Sequence, residues 1–133
     1  MMNKKIFGFT LAIVSIVFVT GCYKDRVVPP SGSGQTVVIT QTVTFTNDIL
    51  PIFTKNCALS GCHASGGKKP DLSAGSAYNS LTSGNYLSTS TPETSEIYQW
   101  LIGKRGTQMP ISGLDPTINA MVLAWIKQGA KND

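Results

Sequence analysis

The stretch Cys57-Ala58-Leu59-Ser60-Gly61-Cys62-His63 places two thiols and an imidazole within seven residues. The chain of 133 residues contains only three Cys and one His, so this stretch holds most of its thiol and imidazole groups. Two zinc sites, or an iron–sulfur cluster held by four thiolates, need more Cys or His than the chain has. Its length favours one domain. We therefore expect the chemistry of that domain to centre on residues 57–63.

Two Cys with a His directly after the second form the attachment pattern of c-type haem. Two thiols add to the two vinyl groups on one edge of the porphyrin, and the His that follows comes to lie under the iron. The usual gap between the thiols is two residues, whereas four separate Cys57 from Cys62. Gly61 allows the longer loop to bulge. The stretch therefore favours a single covalently bound haem c.

Three other interpretations of this stretch compete with haem. A Cys57–Cys62 disulfide in an oxidising compartment accounts for the thiols but leaves the adjacent His63 unexplained. A zinc site needs a fourth ligand such as Asp71, and the spacing gives it no support. A thioredoxin-like redox pair needs a two-residue gap and a βαβ context, and both are missing. Haem is the favoured interpretation, and the disulfide remains its main alternative.

A haem iron that transfers electrons usually has a second axial ligand, and the chain offers two Met for that role once its N-terminal segment is set aside. Met121 lies on an apolar helical stripe, where a core side chain is expected. Met109 lies in a segment without such a stripe, and Pro110 favours an extended backbone at the residue before it. The pattern therefore favours Met109 as the second ligand.

Three segments combine a helix-capping residue, a Pro within the first turn and apolar residues at helical spacing. They begin at residues 46–48, with Pro51 in the first turn, at Thr91-Pro92 and at Asp115-Pro116. Gly103 and Gly129 are suited to end the second and third of them. A short helix is also predicted near residues 74–81, and Gly, Ser, Thr and Pro fill the connections. The sequence therefore predicts a small all-α domain of three to four short helices with long loops.

The N-terminal segment has the pattern of a bacterial signal peptide. Basic residues at positions 4 and 5 precede fourteen uncharged residues, Ile6–Val19, a run too short for a spanning helix. The sequence Val19-Thr20-Gly21-Cys22 then resembles the lipobox of bacterial lipoproteins, which implies cleavage before Cys22 and lipid on its thiol. Removal of residues 1–21 lowers the net charge from +4 to +2. Residues 22–44, rich in Pro, Gly and Ser near their middle, are predicted to form a flexible tether. The β-branched residues at its end could form one strand, but their position next to the lipid anchor favours a spacer.

From residue 45 onward, the chain resembles a small class I cytochrome c. The shared features are the Cys57/Cys62/His63 motif after the first helix, a Pro70-Asp71-Leu72 segment, the Met109-Pro110 loop and a last helix that carries Trp125. The resemblance implies that Cys57 and Cys62 form thioethers and that His63 and Met109 are the axial ligands. It also implies that the Pro70 carbonyl accepts the Nδ1 proton of His63 and that Leu72 packs on the haem. In this family the first and last helices cross, so Ile49 or Phe53 is expected to contact Trp125.

The sequence thus divides into a signal peptide (1–21), a lipid anchor with its tether (22–44) and a haem-wrapping domain (45–133). The expected function is electron transfer between redox partner proteins, without conversion of a substrate, so the chain is not expected to be an enzyme. Lipid on Cys22 would hold it in the cell envelope, on the periplasmic side of the inner or outer membrane or at the cell surface. The slight positive charge and the lack of an aromatic-interleaved basic patch argue against nucleic acid as a partner.

Overall fold

The computed structural model describes residues 37–133, whose regular secondary structure is helical, with no β-strand among them. A π-helical turn at Phe45–Ile49 runs directly into helix α1 (Leu50–Asn56). Helix α2 (Ala77–Ser83) follows a long loop, and a 3₁₀ turn (Pro92–Thr94) precedes helix α3 (Glu96–Leu101). Helix α4 (Pro116–Lys127) is the longest and ends the fold. The predicted signal peptide, the predicted lipidation site Cys22 and most of the predicted tether lie outside the described residues.

Helix α4 confirms its predicted start and stop. The carboxylate of Asp115 accepts hydrogen bonds from the backbone N–H groups of Thr117 and Ile118, at 2.9 and 3.1 Å, as an N-cap residue does. Gly129 follows the last turn with a φ of +101°, a conformation that glycine adopts without steric cost. Local chemistry alone therefore sets both ends of this helix.

The start of the first helical segment differs from the prediction. It begins at Phe45, ahead of the predicted capping residues 46–48, and Asp48 accepts hydrogen bonds from the N–H and hydroxyl of Thr44 instead. The N–H groups of Phe45 and Thr46 donate to the side chain and the backbone oxygen of Asp133, at 2.9 and 2.8 Å. Since these acceptors come from the far end of the sequence, no local pattern could reveal them.

The predicted helix at residues 91–103 is divided in two. Ser95, with φ −52° and ψ 132°, leaves the helical conformation between the 3₁₀ turn and α3. Its buried hydroxyl accepts from the N–H of Ser88 at 2.9 Å and donates to the carbonyl of the same residue at 3.2 Å. This pair of bonds compensates for the helical bonds lost at the break. Helix α2 also begins and ends slightly later than residues 74–81.

One apolar core joins the first and last helical segments. The Phe45 ring lies 5.4 Å from Trp125 and 5.3 Å from Tyr78, measured between ring centroids, in tilted and edge-on arrangements. Such offset geometries suit the ring quadrupoles. Ile49 and Phe53 are buried in the same core. Within this core the aromatic contact with Trp125 is made by Phe45, whereas the expected partners were Ile49 or Phe53.

The packed part of the domain begins before the predicted boundary at residue 45. Val43 is buried, and its N–H donates to the side-chain oxygen of Gln128 at 2.9 Å. The amide of Gln128 in turn donates to the carbonyl of Gln41 at 3.0 Å. Residues 37–44 form neither a helix nor a strand. No described helix has the length and apolar character needed to cross a bilayer.

Candidate functional site

The ring of His63 is oriented by two backbone carbonyls. Its Nδ1 atom lies 2.9 Å from the carbonyl oxygen of Pro70 and 3.2 Å from that of Lys68. A carbonyl oxygen can only accept, so Nδ1 must carry the proton. In the neutral ring the lone pair is then on Nε2, for which the described residues provide no hydrogen-bond partner. The half-buried ring thus presents the nitrogen that a metal ion would use.

Backbone hydrogen bonds fold the motif into a compact loop around this ring. The N–H of His63 donates to the carbonyl of Cys57 at 3.1 Å, and that of Cys62 donates to Leu59 at 2.9 Å. The N–H of Lys68 returns to the carbonyl of Cys62 at 2.7 Å. The four residues between the thiols therefore form an ordered turn, in which Gly61 adopts a φ of +78°.

Gly67 is the residue that permits the tightest approach in this loop. A Cβ atom at that position would collide with the carbonyl oxygen of Cys62 and lie 3.0 Å from that of Ala64. Only glycine allows the chain to turn back at this distance and bring the carbonyls of Lys68 and Pro70 to His63. The pair Gly66-Gly67 was visible in the sequence as a turn signal, but its role at the site was not predicted.

Both motif cysteines have free thiols and are half-buried. Burial first, and then the negative charge of a Cys62 thiolate, raise the pKa of the Cys57 thiol to about 11. Cys57 is therefore protonated at neutral pH and a poor nucleophile, because the thiolate is the reactive form. Neither thiol is committed to a disulfide in this structure.

Leu72 and Pro70 are held against the motif by the segment that follows it. The N–H of Leu72 donates to the carbonyl of His63 at 2.8 Å, and the Leu72 side chain is buried. The N–H of Asp71 donates to the hydroxyl of Ser80 on α2 at 2.8 Å. The structure thus brings five of the predicted site residues together in one region: Cys57, Cys62, His63, Pro70 and Leu72.

The Met109 segment is held by fewer hydrogen bonds than the His63 loop. Its N–H donates to the carbonyl of Trp100 at the end of α3, at 3.4 Å, and its side chain is half-buried. Pro110 is buried, whereas Gly103–Thr107 are exposed, as is Ile111 at 74%. The peptide bonds that precede Pro70 and Pro110 are both cis. No polar contact of the described residues links Met109 to the His63 loop.

The zinc alternative finds no ligand set here. Within residues 37–133, no three His, Cys, Asp or Glu side chains converge as metal ligands, so Asp71 does not complete a site with the motif. Asp71 instead accepts hydrogen bonds from the N–H and hydroxyl of Ser73, at 2.9 and 2.6 Å, and these bonds lower the pKa of its carboxyl.

No family model matches this chain, and neither does any curated protein or solved structure. Its function must therefore be argued from its own residues and their geometry.

Proposed function

We propose that this chain is a lipid-anchored, monohaem c-type cytochrome that carries single electrons between redox proteins. The observation that carries the proposal is the orientation of His63. Two carbonyls fix the proton on Nδ1 and leave Nε2 available, directly after a pair of free thiols. A histidine held in this way is typical of a metal ligand, since the second hydrogen bond fixes the tautomer and increases the basicity of the ring.

Each predicted site residue has a distinct role in this proposal. Cys57 and Cys62 would hold the haem through thioethers, and His63 and Met109 would be the ligands on the two sides of the iron. Bound haem would supply a one-electron couple, and Met as second ligand shifts its potential upward. The chain itself binds and orients the group, while buried Leu72 keeps water from its surroundings. Because the chain would itself supply both ligands of the iron, the proposal assigns no enzymatic activity.

The helical architecture supports a cytochrome c-like fold for this domain. The first and last helical segments meet at the ring contact between Phe45 and Trp125, and the motif loop follows directly from the C-terminus of α1. The core of this small domain is built from the π-helical turn, the four helices and a few side chains of the loops. A covalently held haem would add apolar surface to it, which a domain of this size needs.

Attachment to the membrane would come from lipid on Cys22. Two or more acyl chains give stable anchoring, whereas a single chain binds only marginally. The domain would then be held in the cell envelope, within reach of membrane-bound redox partners. A Cys22→Ser variant tests this proposal, because it should be released into the soluble fraction and lose incorporation of labelled fatty acid while keeping its haem.

The haem proposal is tested by producing the full chain in a bacterial host with intact haem-attachment machinery. We expect a coloured protein whose haem resists acid–acetone extraction and whose peptide containing Cys57 and Cys62 carries a haem adduct by mass spectrometry. The double variant Cys57→Ser/Cys62→Ser is the matched control and should be colourless. A colourless wild-type protein whose motif peptide has lost only two hydrogens would instead establish a disulfide-bonded lipoprotein.

A further inference from the structure

A polar groove of about 430 Å³ lies beside α2, away from the motif cysteines. The segment Lys69–Asp71 contributes two charged side chains to it, and Ser76, Asn79 and Ser83 contribute polar side chains from α2 and the residue before it. Tyr86 completes the wall. A groove of this size, whose wall combines hydroxyl, amide and charged groups with apolar surface, is suited to a small ligand that has both polar and apolar faces.

The two charges of the groove offset each other. Hydrogen bonds from Ser73 are the main cause of the lowered pKa of Asp71, and the nearby Lys69 ammonium lowers it further. Both side chains line the same groove, which therefore holds one charge of each sign. A ligand with net charge of either sign would meet one attractive and one repulsive group, so the groove favours a neutral ligand.

Some polar groups of the groove are used by the fold, and others are not. Among those in use, the hydroxyl of Ser80 accepts from the N–H of Asp71, and that of Ser83 donates to the carbonyl of Asn79. Within the described chain, the Asn79 amide, the Tyr86 hydroxyl and the Lys69 ammonium have no hydrogen-bond or ion-pair partner. Together they offer both donors and acceptors to a ligand that has many of each.

The aromatic wall is fixed in place. The N–H of Tyr86 donates to the carbonyl of Leu81 at 3.0 Å, and its carbonyl accepts from the N–H of Ile97 at 3.1 Å. Its ring passes so close to Gly84 that a Cβ at that position would collide with it. Glycine at residue 84 thus makes room for the ring, whose negative π-face can pack against the polarised C–H groups of a ligand.

From these features we propose that the groove binds a neutral, polyhydroxylated ligand of the size of a hexose sugar. Hydroxyl groups of the sugar would bond to Asn79, Lys69 and Asp71, and its C–H face would pack on Tyr86. The proposal does not depend on haem, because none of the motif residues lines the groove.

The test is a titration of the ¹⁵N-labelled haem-loaded protein, or of the unloaded protein if no haem attaches, with D-glucose, followed by amide chemical shifts. We expect saturable shifts confined to residues 69–73 and 76–86. Asn79→Ala should weaken binding about tenfold, the equivalent of one hydrogen bond, and Tyr86→Leu by a similar factor. Thr82→Ala, on α2 but outside the groove, is the matched control and should bind as the wild type does.

Two results would overturn this proposal. One is the absence of saturable shifts up to about 100 mM glucose, because a dissociation constant above that concentration is too weak for a functional site. The other is a loss of binding in Thr82→Ala as large as that in Asn79→Ala. The amide spectrum of each variant shows directly whether it is folded, so a misfolded variant cannot be mistaken for either result.

Discussion

The two segments that carry the proposed iron ligands are built in opposite ways. The His63 loop is closed by backbone hydrogen bonds of 2.7–3.1 Å, and two further carbonyls hold the imidazole. The Met109 segment is tied to α3 by one bond of 3.4 Å, and it lies between the exposed residues 103–107 and the exposed Ile111. One ligand is therefore positioned by its own loop before any cofactor binds, whereas the other depends on what it binds to. Segments with few bonds and little burial open most easily, so exchange at the iron is expected on the Met109 side.

The largest effect, on carbon monoxide binding, is expected from replacing the Met109 side chain, whose segment is held by few hydrogen bonds. Met109→Leu should keep covalent haem but leave the iron with one ligand from the chain, so that the reduced protein binds carbon monoxide at neutral pH. If the iron lacks its Met109 ligand in about 1% of wild-type molecules, replacing Met109 raises the apparent affinity for carbon monoxide about 100-fold. The change is measured by the shift of the haem absorption bands during a carbon monoxide titration.

Met121→Leu is the matched control for this experiment, because Met121 packs against the core on α4. It should bind carbon monoxide no better than the wild type. If the wild-type protein itself bound carbon monoxide tightly, Met109 would not be a stable ligand, and a gas-binding role would replace electron transfer.

The next largest effect, on stability, is expected at Gly67 in the hydrogen-bonded His63 loop. In Gly67→Ala the added Cβ is forced against the carbonyl of Cys62, and the loop must shift. We expect the free energy of unfolding to fall by about 1–3 kcal/mol, the usual range for overpacking. Denaturant unfolding of the variant and of Gly75→Ala, where an added Cβ meets nothing within 4 Å, gives the comparison. Equal stability of the two variants would show that the loop is less constrained than its bonds indicate.

A third prediction concerns Cys57 in protein prepared without haem attachment. Because its thiol pKa is raised from 9.0 to about 11, the thiolate fraction at neutral pH is about a hundredfold below that of an ordinary thiol. Alkylation of Cys57 should therefore accelerate about tenfold with each pH unit and level off only near the raised pKa. Peptide mass spectrometry after timed alkylation measures this rate.

Cys62→Ser separates the two causes of that shift. Loss of the neighbouring thiolate should move the alkylation curve of Cys57 to lower pH, while burial keeps its midpoint above 9.0. A midpoint at or below that value in the wild-type protein would mean that Cys57 is more exposed than the fold indicates.

The smallest effect is expected at Asp115, where α4 begins after the Met109 segment. Asp115→Ala removes the acceptor for two backbone N–H groups and should cost about 1 kcal/mol. Asp115→Ser keeps an acceptor and should lose only a few tenths of that amount. Thermal unfolding of both variants checks the difference. A loss of stability in Asp115→Ser equal to that in Asp115→Ala would assign the effect to charge instead of capping.

The sequence was most informative where structure depends on neighbouring residues. Asp115, Pro116 and Gly129 are close to the helix ends that they define, so their pattern located α4 correctly. The predicted caps of the first helix were wrong, because Asp133 supplies the acceptors from 88 residues away. The predicted helix after Thr91 was divided for a similar reason, since Ser95 bonds to Ser88 outside that helix.

The sequence by itself determined that two thiols and the only imidazole stand together, and that short helices with long loops surround them. Both follow from composition and local spacing, which a linear chain displays in full. Tertiary structure decided which nitrogen of His63 carries the proton, because the carbonyls of Lys68 and Pro70 reach it only after the chain turns at Gly67. It also formed the groove beside α2 from Lys69, Asn79 and Tyr86. Backbone carbonyls are the same at every residue, so only the path of the folded chain determines which of them meet the ring.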